Sequence, residues 1–114
     1  MADCPFCRIV AGEIPSDRVH DDDQVIAFRD IAPRAPTHIL VIPRAHIASA
    51  AELTEADGPL LGRLFGAAAL VAREQGIADA GYRLVTNVGR WGGQTVDHLH
   101  LHLMGGRPFD WPPG

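Results

Sequence analysis

No lysine occurs in the 114 residues; all ten basic side chains are arginines. Schiff-base chemistry and a phosphate loop built on lysine are therefore excluded. Cysteine is scarce as well: the only two, Cys4 and Cys7, cannot staple a disulfide scaffold. Long apolar runs are missing, and none approaches the roughly 20 residues a membrane span requires. The first seven residues (Met-Ala-Asp-Cys-Pro-Phe-Cys) have neither a basic start nor an apolar stretch, so no signal peptide is expected and a cytoplasmic location is. The arginines form no cluster and the formal charge is −4, which argues against a nucleic-acid backbone as partner. What the chain does have is apolar content: 46% apolar against 21% charged residues, enough for one folded domain over 1–114.

Hydrophobic periodicity places the elements. Residues 6–11 make a short helical turn stopped by Gly12 and Pro15. Arg18–His20 and Gln24–Asp30 form a hairpin around the acidic turn Asp21-Asp22-Asp23. His38–Ile42, β-branched and bounded by prolines, is a buried strand. Thr54-Glu55-Ala56-Asp57 is a capping-box variant. It leads into the one long helix, with Pro59 in its first turn, Leu60, Leu64, Ala67 and Val71 at helical spacing, and Gly76 as its stop. Tyr82–Val88 and Asp97–Met104 are two more strands, separated by the glycine-rich loop Gly89–Gln94. Short strands around one helix, without regular β-α-β alternation, predict an α+β fold: a five-stranded antiparallel sheet with helix cover.

The densest signal is His98, His100 and His102, alternating with Leu99, Leu101 and Leu103. On a strand of period two the three imidazoles leave one face and the leucines the other. Two chemistries fit: a metal site, or covalent catalysis by a neutral imidazole, with phosphorus as a natural electrophile. Gly92 and Gly93 just upstream let backbone N–H groups approach an anion, with Gln94 and Thr95 adding donors. The C-x-x-C pair needs two further ligands to hold a metal, and His20, His38, His46 and the three alternating histidines are all candidates.

His98-Leu-His100-Leu-His102-Leu-Met104 matches His-x-His-x-His followed by two apolar residues, and the chain resembles the histidine-triad (HIT) family. Ala27–Ile31, Ala35–His38, Val41–Ile47, Gly92-Gly93-Gln94, Gly105-Gly106-Arg107 and the tail Trp111-Pro112-Pro113-Gly114 extend the likeness to the Hint branch over nearly the whole length. The resemblance implies a homodimer, paired across its sheets, that hydrolyses purine nucleoside 5′-phosphoramidates of the adenosine 5′-phosphoramidate type. A purine nucleotide of the AMP or GMP type would be the ligand and a nucleotidyl-histidine the intermediate. Carried over residue by residue, His100 is the nucleophile. His102, Asn87, Gly93 and Thr95 contact the phosphate or leaving group, and His38 lies beside the nucleophile. Asp30 holds the ribose hydroxyls, and Phe6, Ile9, Ile14, Phe28 and Ile31 form the base pocket. Zinc-bearing relatives imply a structural site of Cys4, Cys7, His46 and His98; the chemistry itself needs no cofactor. Thr95 stands where the branch usually has serine, and Arg29 where it has histidine. A dinucleoside polyphosphate hydrolase on the same fold, a binding module with little turnover, and a zinc hydrolase using the three alternating histidines as ligands are the alternatives.

Overall fold

Alternation of side chains in two central strands divides the molecule into two cores. In the computed structural model, which describes residues 3–114, the chain runs α1 (Pro5–Val10), β1 (Arg18–Asp21), β2 (Val25–Arg29), β3 (Thr37–Pro43), α2 (Gly58–Glu74), β4 (Arg83–Val85) and β5 (Leu101–Gly105). Met1 and Ala2, which open the N-terminal reading above, lie outside the described residues. The five strands form one antiparallel sheet in the order β1-β2-β3-β5-β4. Val25 and Ala27 of β2 with Ile39 and Val41 of β3 face α2, where Leu64, Ala67, Ala68, Val71 and Ala72 complete the larger core. Ile26, Phe28, Leu40 and Ile42 point the other way and are capped by Phe6 and Ile9 of α1.

The long helix keeps its expected course. Thr54 and Asp57 form the capping box, but it closes a short 3-10 turn (Glu55–Asp57) that leads directly into α2. Gly76, at φ +74°, takes the left-handed position just beyond the helix end. The acidic turn is an anchor: Asp22 accepts from the backbone N–H groups of Gln24 and Val25, its carboxylate meets His20 and Arg63, and Asp21 pairs with Arg18 and Arg44.

Two strands are shorter than their sequence pattern. β5 begins at Leu101 rather than Asp97, and β4 covers only Arg83–Val85 of the expected Tyr82–Val88. The ladder stops where its partners run out. Pro43, at the end of β3, has no N–H to give, and its carbonyl accepts from the His98 ring instead. On the other side the Thr86 hydroxyl donates to the His100 carbonyl in place of a backbone pair. Even so, the period-two alternation persists through the irregular stretch: Leu99, Leu101 and Leu103 are all buried in the α2-side core.

Candidate functional site

The three alternating histidines share a face, yet backbone hydrogen bonds send their ring nitrogens to three different places. His98 donates Nε2–H to the Pro43 carbonyl at 2.8 Å, and His100 donates Nδ1–H to the His98 carbonyl at 2.7 Å. A carbonyl only accepts, so each bond fixes a tautomer. The His98 Nδ1 lone pair faces Cys4 Sγ at 3.4 Å and Cys7 Sγ at 3.6 Å. The lone pair of His100 lies on Nε2, the nitrogen not engaged by the backbone.

His102 is fixed from further away. The backbone N–H of Arg34 donates to His38 Nδ1 at 2.9 Å, which leaves the proton of neutral His38 on Nε2. That Nε2 lies 2.9 Å from His102 Nδ1 and 3.4 Å from the Asp30 carboxylate. His102 Nδ1 therefore accepts, and its own proton sits on Nε2. Burial holds His38 below the usual histidine range against the opposing pull of Asp30. Burial and the neighbouring His100 and His38 bring His102 down to about 4. Both rings are neutral at physiological pH, as this relay of tautomers requires.

Two groups of residues stand close enough to hold a cation. The ligand atoms of Cys4, Cys7, His46 and His98 all lie within 4.8 Å of one another, with Cys7 Sγ 3.3 Å from His46 Nδ1. Cys4 caps α1, accepting from the Cys7 N–H at 3.3 Å, so the helix start brings both sulfurs to one point. Two sulfurs, two imidazoles and a lone pair aimed at the sulfurs suit a borderline divalent ion. Asp30, His38 and His102 form the second group. Their spacing fits, but the chemistry does not: the Arg34 N–H keeps the His38 proton on the very nitrogen that would have to ligate. Among the described residues, His98, His100 and His102 are not one of the groups whose ligand atoms lie close enough to share a cation, as the zinc-hydrolase alternative would need.

A pocket of about 390 Å³ opens over this face. Phe6, Ile9, Ile14, Phe28, Asp30, Ile31, Thr95, His100 and His102 all line it, as do Arg29, noted above where the branch has histidine, and Pro5, Pro15, Ser16, Leu40 and Val96, to which the sequence reading gave no place in the site. Phe6 stands edge-on to both Phe28 and His100, with ring centroids 5.6 Å and 5.1 Å away. Ile31 is fully exposed and forms the rim rather than the wall. Asn87 and Gly93 do not line this pocket. Asn87 donates to the Gly92 carbonyl at 2.7 Å and borders a second cleft beyond His102. The Gly93 N–H closes a turn onto the Arg90 carbonyl at 3.1 Å. Gln94 braces the loop through Ala48, Val96 and Gly89, so it is not a phosphate donor here. Gly92 is required sterically, since a Cβ would lie 2.2 Å from the Val88 carbonyl oxygen, and Gly93 adopts φ +80°.

Comparisons with known proteins bear on the family and the fold. The family model described as HIT domain matches residues 11–109. The chain is 52% identical over 104 residues to the purine nucleoside phosphoramidase of Escherichia coli, covering 91% of this chain and 87% of that protein. A HIT-like protein of Synechococcus elongatus is 51% identical over 112 residues, covering 98% and 97%. Among solved structures, a HIT family hydrolase from Legionella pneumophila superposes with a TM-score of 0.96 at 49% identity, covering 98% of this chain and all of that one. A histidine triad protein from Clostridium difficile gives 0.93 at 39% identity, covering 96% of both chains. With a family model over most of its length and relatives at about half identity, the chain belongs to the HIT domain family.

Proposed function

We propose that the chain, one HIT domain over 1–114, is a hydrolase of purine nucleoside 5′-phosphoramidates working through a nucleotidyl-histidine. The observation that carries this reading is His100: its Nδ1–H is tied to a backbone carbonyl, and its unshared pair sits on Nε2 in the wall of an apolar pocket. A neutral imidazole so oriented is a prepared nucleophile. The purine would lie against Phe6, Ile9, Ile14 and Phe28 with Ile31 at the rim. The Asp30 carboxylate, which already holds the Ala32 N–H, has acceptor capacity left for ribose hydroxyls.

In the first step His100 Nε2 bonds to the α-phosphorus as the P–N bond breaks. The electron pair leaves with the nitrogen, which takes a proton from solvent in the open cleft. In the second step water attacks phosphorus, the P–Nε2 bond breaks, and the nucleoside monophosphate departs with the hydroxyl while the remaining proton returns to solvent. The donors supplied by the chain are His102 Nε2–H, kept in place by His38, and the Thr95 hydroxyl; both stabilise charge on the phosphoryl oxygens. Asn87 and Gly93 act by shaping the loop that presents Thr95.

Zinc is the ion that best suits the Cys4, Cys7, His46 and His98 donors. It would supply a structural crosslink between α1 and the segment entering β5, with all four positions filled by protein. A homodimer is supported by β4, which is an outer strand of the sheet, and by Phe65 and Leu70, which α2 exposes to solvent. Holding a metal through Cys4 and Cys7 requires both thiols to stay reduced, as they do in a cytoplasm. No helix among the described residues is long and apolar enough to cross a membrane.

The direct test mixes the protein with adenosine 5′-phosphoramidate, quenches in alkali and measures intact mass. An adduct of one adenylyl group, mapped to His100 and chased to AMP, is expected. Turnover with no such adduct under single-turnover conditions would overturn the covalent route. Faster hydrolysis of a diadenosine polyphosphate than of the phosphoramidate would overturn the substrate class.

A further inference from the structure

The polar side chains that line the apolar pocket are Ser16, Arg29, Asp30, Thr95, His100 and His102. All but one of them are already engaged. Thr95 and His102 stand at the phosphate end, where each also lines a neighbouring recess, and His100 carries the nucleophile. Asp30 holds the Ala32 N–H and stands 3.4 Å from the His38 ring. Arg29 continues the alternation of Val25 and Ala27 toward α2. Its guanidinium is held by partners outside the pocket, donating to Gln75 at 3.0 Å and pairing with Asp17 at 3.4 Å. Ser16 is the exception. It is half-buried, and its hydroxyl has no hydrogen-bond partner among the described residues. Such a group in an otherwise apolar wall has one donor and two acceptor positions to offer a ligand.

The neighbours of Ser16 locate it in the site. The Asp17 carbonyl accepts from the Arg29 N–H at 3.0 Å, one step beyond the pairing of Arg18 with Phe28, so Ser16 comes opposite Asp30 at the end of the β1–β2 ladder. Ile14, two residues earlier, lines the same cavity as part of the base wall. Ser16 lines neither recess at the phosphate end, and it adjoins β1, at the opposite edge of the sheet from β4. A polar group between the ribose carboxylate and the base, and away from the phosphate, meets one particular edge of a purine. In the anti conformer C8 turns toward the 5′-phosphate, whereas N3 and the substituent at position 2 turn toward the 2′-hydroxyl. We propose that Ser16 reads this sugar edge and makes the pocket favour purines with a 2-amino group, guanine over adenine. The Ser16 hydroxyl donates to N3 of either purine, but only guanine carries an amine from which it can also accept. The assignment rests on the nucleotide reading of the pocket and adds its base preference.

The test titrates the full-length protein with GMP, IMP and AMP, then measures hydrolysis of the three corresponding 5′-phosphoramidates. GMP and IMP differ only in the 2-amino group, so the ratio of their affinities isolates the contact. GMP should bind about fivefold more tightly than either IMP or AMP. Ser16→Ala should bring the ratio of GMP to IMP to within about 1.5-fold of unity, whereas Ser16→Thr, which keeps the hydroxyl, should retain the preference. Because each variant is judged by a ratio of its own ligands, a partial loss of folded protein cancels. In turnover the guanosine compound should exceed the inosine compound by the same factor in kcat/KM, through KM, because a contact to the base is equal in the ground and transition states. No preference for GMP over IMP in the unaltered protein, tighter binding of AMP than of GMP, or a ratio that Ser16→Ala leaves unchanged would each overturn the assignment. Binding in the expected ratio with hydrolysis of none of the three compounds would support the base contact and overturn the phosphoramidase reading instead.

Discussion

The two faces of the segment 98–103 are built from the same stretch of chain and obey opposite rules. Leu99, Leu101 and Leu103 enter the α2-side core, where they pack in a hydrophobic cluster and each position is satisfied by volume. His98, His100 and His102 occupy the other face, and each ring nitrogen with an assigned partner is committed to one direction: a carbonyl, a sulfur or another imidazole. A one-residue slip in register would exchange the two sets. The leucines hold the register through burial, and the histidines depend on it for their tautomers. Stability and chemistry thus sit back to back on one backbone, and substitutions on either face should separate them.

The largest expected effect is on the histidine face. His100→Ala removes the nucleophile and with it the covalent route, so kcat should fall by at least about a thousandfold. Folding should persist, because the ring makes one backbone hydrogen bond and the leucines opposite are untouched. Steady-state hydrolysis and a thermal melt, run side by side, check both halves. A variant keeping a tenth of the activity would mean that His100 is not the nucleophile.

Cys4→Ser with Cys7→Ser attacks the same face where it joins α1. If zinc is bound at concentrations about a thousandfold above its dissociation constant, its loss costs about 4 kcal/mol by linkage. Elemental analysis should give one zinc per chain before the substitutions and none after, with a lower melting temperature and measurable turnover in the cold. Protein isolated without chelator that holds less than about a tenth of a zinc per chain would leave the four residues as an unliganded cluster.

On the leucine face the effect is purely energetic. Leu103 is fully buried, and Leu103→Ala should lower stability by about 3 kcal/mol through lost transfer energy and a residual cavity. Urea unfolding should show this as a lower midpoint at an unchanged slope. The KM for adenosine 5′-phosphoramidate, measured on the folded fraction, should stay within about twofold. A change in KM as large as the loss of stability would mean that the two faces are coupled.

How far the sequence could be read follows from the same division. Period two placed the leucines and histidines on opposite faces although half of that segment is not a regular strand, because burial preserves the alternation where the ladder has ended. The ladder's end itself was not legible: it depends on Pro43 and Thr86, which are distant in sequence and meet the segment only in the fold. The five base-pocket residues were placed by family likeness and all line one cavity, Ile31 from its exposed rim, whereas Asn87, expected at the phosphate or leaving group, faces the neighbouring cleft. Gln94 looked like a donor to an anion and proves to be a loop brace, since an amide side chain next to glycines finds backbone carbonyls before it finds a ligand. What no motif announced is the Arg34 backbone N–H on His38, the bond that orients His102. Backbone donors leave no trace in residue type.

That bond leads to the smallest effect, a pH dependence of stability. The ordinary histidine value near 6.5 applies to His102 in the unfolded chain, and about 4 applies in the fold. Between these values the unfolded state binds the extra proton, so the contribution of His102 is complete above pH 6.5 and is lost progressively down to about pH 4. Asp22 is also held below its ordinary value, by the His20 ring and the Gln24 and Val25 N–H groups acting against burial. Its contribution, however, disappears only as pH falls below the usual carboxylate range, outside this window. Because His102 is half-buried, solvent screening keeps the loss to about 2 kcal/mol at pH 4. His102→Gln keeps a hydrogen-bonding partner for His38 but cannot titrate. Melting temperatures of the two proteins, taken at pH 7.5, 6, 5 and 4.3, should therefore converge as the pH is lowered, the unaltered protein losing more. Parallel curves would mean that His102 is solvated enough to hold its ordinary value, and that its orientation does not depend on His38.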